Sequence, residues 1–198
     1  MCQLLETIRV EYGTMCHPGY HLKRMQYSSS ELFGSPVNTD ILETISIPAQ
    51  YSEGIYRCRI VYTTAIEKIE FLRYTPRKIS SLKIVDDGNI DYTHKYADRS
   101  KIENLYARRG LCDDILIIRN GMITDTSIAN VLLLKDTTWF TPAEPLLQGT
   151  MRQYLLDKGF IHGKNITVGD LKSCKSVMLI NALRPFDEEM AFSVKHIF

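Results

Sequence analysis

The sequence predicts a mixed α/β protein of the α+β kind, built as two small domains, and three observations lead there. Residues 56–62 (YRCRIVY) and 66–74 (IEKIEFLRY) alternate along the chain at period two, which reads as an antiparallel strand pair turning at Thr63-Thr64. Residues 20–33 instead space His21, Arg24, Met25 and Ser28 at three or four, the period of a helix. Further on, an apolar run at 115–118, a turn at Asn120-Gly121 and a second run at 131–134 read as a hairpin, with Asp125, Ser127 and Asn130 at the start of its buried strand. The predicted division is a small α+β domain over 1–82, with a mostly antiparallel sheet, and a second domain over 83–198.

Taken in order, Leu4 to Val10 is compatible with a strand and Glu11-Tyr12-Gly13 with a turn. The helix over 20–33 stops at Gly34-Ser35-Pro36. Residues 38–53 are expected to form a short second helix and then a loop around Pro48, and 80–85 a linker strand. Residues 101–110 read as a helix closed by its glycine. Pro145 to Gly149 reads as a loop and glycine turn leading into a helix that runs to Lys158, with Gly159 as its stop. The free N–H groups and positive dipole end of such a start suit an anion. A short element begins at 168–171, residues 176–181 read as a buried strand, and the tail is expected to add a strand within 191–197. Trp139 reads as core.

Composition narrows the function classes. The 198 residues are enough for a sizeable core, and a formal net charge of +1 argues against a broad nucleic-acid surface. Five cysteines without a CxxC pair make a poor disulfide framework, so a reducing cytoplasmic setting is expected. No run of about 18 apolar residues suggests a membrane span. His17, His94 and His162 lack metal-ligand spacing, so no metal site is expected.

Six collinear segments, ETIRV, YHLKRM, HKYADR, NGMITDTSIANV, WFTPAEPLLQGTMR and LINALRP, resemble those of the class IV (fold type IV) pyridoxal-phosphate enzymes. That family includes branched-chain and D-amino-acid aminotransferases and 4-amino-4-deoxychorismate lyase. The resemblance implies a fold type IV protein with pyridoxal 5'-phosphate between its two domains, a homodimer, and a small amino substrate. The family places a further strand and a glycine-containing loop before its equivalent of LLETI, so the N-terminal domain is expected to be shortened by one strand.

Residue roles follow by the same resemblance. Lys95 in HKYADR matches the lysine that forms a Schiff base with the cofactor and then moves the substrate's Cα proton. Asp125 stands where the family has a glutamate for the pyridine nitrogen, one methylene shorter. Gly149-Thr150-Met151-Arg152 matches the phosphate-binding turn, with Met151 replacing the usual threonine and Thr150 or Ser127 offering a hydroxyl. Arg24 matches an arginine that reaches the phosphate, and Arg99 is expected at the cofactor's phenolic oxygen or a substrate carboxylate. Arg57 or Arg59, which share a strand face, and Asn181 are candidates for substrate binding. HKxxDR and NALRP resemble the lyase branch more than the branched-chain one, and Leu5 before Glu6 departs from the tyrosine of the D-amino-acid branch. The expected reaction is that of the lyase, with an aminotransferase as the alternative and a non-catalytic family member as the second.

Overall fold

In the computed structural model, residues 2–38 and 40–198 are described, and the chain divides into two compact units. The first holds residues up to 76 together with 94–98; the second holds 77–93 and 99–198. This differs from a boundary at 82/83 in two places. Residues 77–82 lie in the second unit, and the Lys95 segment returns to the first.

The first unit is an antiparallel sheet and one helix. Strand β1 (Leu4–Glu11) turns through Tyr12-Gly13 into β2 (Thr14–Met15). Helix α1 (Pro18–Phe33) follows and ends at Gly34, whose N–H closes on the Ser30 carbonyl. Strands β3 (Ile55–Tyr62) and β4 (Ile66–Arg73) complete the sheet in the order β2-β1-β3-β4. Period two sends Leu4, Ile8 and Val10 of β1 to the same face as Cys58, Ile60 and Tyr62 of β3, where they pack with Met25 of α1. Residues 40–44 form turns and Ala49–Tyr51 a single 3-10 turn, so the second helix expected within 38–53 is absent among the described residues; Thr39 lies outside them. The β-branched Thr44, Ile45 and Ile47 run into Pro48, which leaves too short a stretch to propagate a helix.

In the second unit, the linker strand expected over 80–85 is β5 (Leu82–Asp86), a sheet member parallel to β6. Helix α2 (Ser100–Tyr106) and a 3-10 turn over Ala107–Arg109 lead to β6 (Asp114–Arg119). The β6 chain reverses through Asn120 and Gly121, both at positive φ as a type I′ turn requires, into β7 (Met122–Ile123). Then come β8 (Asn130–Lys135), β9 (Thr138–Pro142), α3 (Thr150–Asp157), β10 (His162–Lys164), β11 (Ser176–Ile180) and β12 (Phe192–Ser193).

The expected hairpin between the apolar runs at 115–118 and 131–134 does not form. Strand β6 belongs to a three-stranded sheet, β5-β6-β7, and β8 to a five-stranded one, β10-β9-β8-β11-β12. The alternation of β8 and β11 explains why. Val131, Leu133, Val177 and Leu179 pack with Leu116, Ile118 and Ile123 of the smaller sheet, while Leu132, Met178 and Ile180 face Met151 and Leu155 of α3. A strand buried on both faces needs a layer on each side, and edge pairing with β6 would deny it one. The tail adds β12 and lies along β5, where the Phe198 N–H donates to the Leu82 carbonyl.

Candidate functional site

In the first unit, the pattern of β1 forces a charge into the core. Glu6 lies on the apolar face between Leu4 and Ile8 and is fully buried, so it needs partners. Helix α1 supplies them at a spacing of three. Arg24 grips both carboxylate oxygens, Nε to Oε1 at 2.7 Å and a terminal nitrogen to Oε2 at 2.7 Å, and His21 Nδ1 lies 2.8 Å from Oε2. Burial raises the Glu6 pKa, but the charges of Arg24 and His21 and their hydrogen bonds outweigh it and hold the carboxyl well below its usual range. Burial lowers the His21 pKa against the pull of Glu6, with Arg24 and Lys95 pushing the same way as burial. A carboxylate only accepts, so His21 donates its Nδ1 proton to Glu6.

The Lys95 segment is fixed by its backbone beside this cluster. The Leu5 N–H donates to the Lys95 carbonyl at 2.8 Å, the Ala97 N–H to the Gln3 carbonyl at 2.9 Å, and Tyr96 forms an antiparallel bridge with Leu4. Buried His94 stacks on Tyr27 and bonds Ser28 Oγ at 3.1 Å. Lys95 is thus a half-buried amine on a rigid sheet edge, close enough to the α1 cluster for its charge to be felt at His21.

In the second unit, residues 124–130 form a tight turn, buried except at Ile128 and braced from several directions. Thr124 Oγ1 donates to the Ile117 carbonyl, Thr126 Oγ1 meets Ala129, and Asn181 Nδ2 donates to the Ile128 carbonyl. Asp125 is the chemically prominent member. Its Oδ1 accepts from Asn130 Nδ2 at 2.8 Å and its Oδ2 from the Leu147 N–H at 2.9 Å. Burial pushes its carboxyl up to about 6, opposed by these hydrogen bonds, by the Leu146 N–H and by the charge of Arg152. Leu147 lies two residues before Gly149, the N-cap of α3, where no side chain caps the helix. A buried carboxylate and an uncapped helix start therefore meet through one short loop.

The remaining sequence candidates separate into groups. Thr150 and Met151 occupy the first turn of α3; both are buried, and the Met151 side chain belongs to the core beneath the helix, so its contribution at the helix start is its N–H. Ser127 is buried in the braced turn, its N–H toward Asp114. Arg24 is engaged with Glu6, and Arg99 donates to the Ser127 carbonyl at 2.8 Å, so it braces the turn. Asn181 likewise serves backbone groups, its Oδ1 accepting from the Leu183 and Arg184 N–H groups. Arg57 and Arg59 lie on the sheet face opposite the buried Cys58 and Ile60; Arg59 pairs with Glu70 across to β4 at 2.7 Å.

Three further residues matter to which the sequence reading gave no role: Glu6, His21 and Arg152. The first carried a signal, a carboxylate within an apolar alternation. Buried Arg152 bonds Thr141, Gln148 and the carbonyls of Pro142 and Ala143, and so fixes the loop that delivers Leu147 to Asp125. Among the described residues no group of His, Cys, Asp or Glu could hold a metal, and no helix is long and apolar enough to cross a membrane.

In the second unit, the chemistry of a buried carboxylate and of the N–H groups at an uncapped helix start fits a ring nitrogen and a phosphate; in the first unit, Lys95 offers a half-buried amine. Residues 3–186 match the family model for amino-transferase class IV. An uncharacterized protein of Haemophilus influenzae is 35% identical over 185 residues, 92% of this chain and 98% of that protein. The crystal structure of a candidate 4-amino-4-deoxychorismate lyase from Haemophilus somnus aligns with a TM-score of 0.84 at 31% identity, covering 94% of this chain and 98% of that one. A candidate amino-acid aminotransferase from Mesorhizobium loti aligns with a TM-score of 0.80 at 25% identity over 100% of both chains.

Proposed function

Because the chain belongs to the class IV aminotransferase family, we propose that it is a pyridoxal-phosphate-dependent enzyme acting on an amino-acid-like substrate, with 4-amino-4-deoxychorismate lyase activity. The single observation that carries the cofactor reading is the buried Asp125 carboxylate bound to the loop that starts α3. The 31% identity to the Haemophilus somnus protein supports the lyase over other family reactions.

When bound, pyridoxal phosphate supplies an electron sink that stabilises charge developing at the substrate's Cα. Lys95 would hold the cofactor's aldehyde, and its amine would take the substrate's Cα proton. Asp125 would hold the ring-nitrogen proton; with its pKa near 6 it is still ionised at pH 7. The Thr150 and Met151 N–H groups would bind the phosphate at the positive end of α3. Glu6, Arg24 and His21 form a fixed charge array beside the lysine, in which Glu6 offsets the arginine. In the lyase reaction, loss of pyruvate aromatises the ring to 4-aminobenzoate, so no keto acid is consumed. A homodimer in a reducing cytoplasm completes the proposal.

The Mesorhizobium loti structure favours a second reading, an aminotransferase using the same residues. One experiment addresses the whole proposal. The purified protein is mixed with pyridoxal phosphate, its absorbance recorded, the sample reduced with borohydride and the peptides mapped. Label on the Lys95 peptide is the expected result; no absorbance change, or label scattered over surface lysines, would favour a non-catalytic family member. Release of 4-aminobenzoate without any keto acid then distinguishes the lyase from the aminotransferase.

A further inference from the structure

The side chain of Asn130 touches three points of the second unit at once. It is 5% exposed and opens β8. Its Nδ2 donates one proton to Asp125 Oδ1 at 2.8 Å and the other to the Leu147 carbonyl at 2.9 Å. Its Oδ1 lies against Gly149, where an added Cβ would collide with it. The amide has one workable orientation, because a carboxylate and a carbonyl both demand donors. Glycine at 149 is thus required by space and not by backbone angle, since its φ of −70° suits any residue.

We propose that Asn130 is a positioning residue that fixes the Asp125 carboxylate and the start of α3 to each other, so that the groups for the cofactor's ring nitrogen and phosphate are held at one spacing. The inference rests on the cofactor reading above. The shortened carboxylate makes such a brace consequential. With one methylene fewer than glutamate, Asp125 has less reach to correct an error in placement, and its alignment is set by Asn130 on one oxygen and the 146–147 backbone on the other. Arg152 acts on the same loop from α3 through the Pro142 and Ala143 carbonyls, while Asn130 contacts both the carboxylate and the helix cap.

The test uses Asn130→Asp, which keeps the volume against Gly149 and replaces a donor with an acceptor. In the apo-protein the Asp125 carboxyl is titrated by carbon-13 NMR, and pyridoxal phosphate affinity is measured by spectroscopic titration. The midpoint of Asp125 is expected to rise above its wild-type value of about 6, and the Kd to weaken about tenfold or more, the effect of losing a hydrogen bond to a charged group. Asn130→Ser, which retains a donor, should fall between and serves if the first variant does not fold. Gly149→Ala should weaken binding in the wild-type background and less so beside Asn130→Ala, where the obstructing amide is gone. An unshifted Asp125 midpoint, a Kd within about twofold of wild type, or additive Gly149 and Asn130 effects would overturn the proposal. Failure of the wild-type protein to bind pyridoxal phosphate would instead overturn the cofactor reading, a result separable from the other three.

Discussion

Glu6 in the first unit and Asp125 in the second are both buried carboxylates, and they are balanced differently. Glu6 is held by charges, with a guanidinium on both oxygens, and its pKa is held down in spite of complete burial. Asp125 is held by neutral donors, a side-chain amide and main-chain N–H groups, and burial prevails, raising its pKa to about 6. A group meant to stay ionised under all conditions is best given a counter-charge. A group meant to share a proton with a bound ring is better left with neutral donors, because a full salt bridge would compete with the ligand. Under the proposed function, the first arrangement would support a reactive amine and the second would offer a proton-sharing carboxylate.

The largest expected effect falls on the amine that the first arrangement surrounds. Lys95→Ala should reduce kcat by at least about a hundredfold to ten-thousandfold, the range for losing a positioned proton-transfer group, and abolish borohydride labelling. Circular dichroism should be unchanged, because the segment is held by the backbone groups of residues 95 and 97 and not by the amine. Substantial residual turnover would show that another group moves the proton.

Next comes the counter-charge itself. Glu6→Ala leaves the Arg24 guanidinium in a buried site without its carboxylate, which is expected to cost about 3–5 kcal/mol of stability in urea unfolding. A loss below about 1 kcal/mol would mean that water reaches the cluster and the charge contrast between the units is weaker than the geometry indicates. Glu6 itself stabilises the protein at all pH values above about its ordinary 4.5, and that stability is lost only as acid pH falls toward its depressed pKa.

Asp125 should respond with the opposite sign. Its folded pKa is raised from 3.8 to about 6, so between those values the folded protein binds a proton that the unfolded chain has released. Stability from this group is therefore full at low pH and lost as pH rises through 6, by roughly 3 kcal/mol at neutral pH. Unfolding of wild-type apo-protein compared with Asp125→Asn should show the wild type gaining relative stability from about pH 7 to about pH 4.5. Activity should move the other way, falling below about pH 6 as the carboxylate protonates and ceases to hold the ring-nitrogen proton. Parallel pH profiles for the two proteins would place Asp125 in contact with solvent and undo the contrast.

How much of this was legible beforehand follows from the range over which each feature is decided. The strand pair β3–β4, helix α1 and the start of α3 are set by neighbours within a few residues, and their periods showed them. The partner of β8 is set by β11, about fifty residues later, and local alternation cannot tell a hairpin from two sheets packed face to face. At the site, Asp125 and Gly149 stood out by motif, but the reason for the glycine is a side chain on another strand, Asn130. Arg24 and Arg99 were read as cofactor arginines, and the partners they have in the structure were not legible, since Glu6 meets Arg24 only once α1 lies on the sheet and Arg99 meets Ser127 only once the turn closes.

The smallest expected effect concerns the arginines on the other face of the first sheet, where charge is balanced in solvent. Arg59 pairs with Glu70 at 2.7 Å, and Lys68 reaches the same carboxylate at 2.9 Å; the Lys68 and Arg59 hydrogen bonds hold its pKa below the ordinary value. The geometry resembles that of Glu6 and Arg24, yet the Arg59 and Glu70 side chains are 31% and 30% exposed, so water screens what burial would amplify. Arg57→Ala and Arg59→Ala should therefore change kcat/KM by less than about twofold, the scale of surface substitutions away from a site. A tenfold rise in KM with unchanged kcat for either variant would instead assign that arginine to the substrate's carboxylate. In that event an exposed ion pair would be a reserve of binding charge released on substrate arrival, and exposure alone would no longer separate the scaffold's charges from the site's.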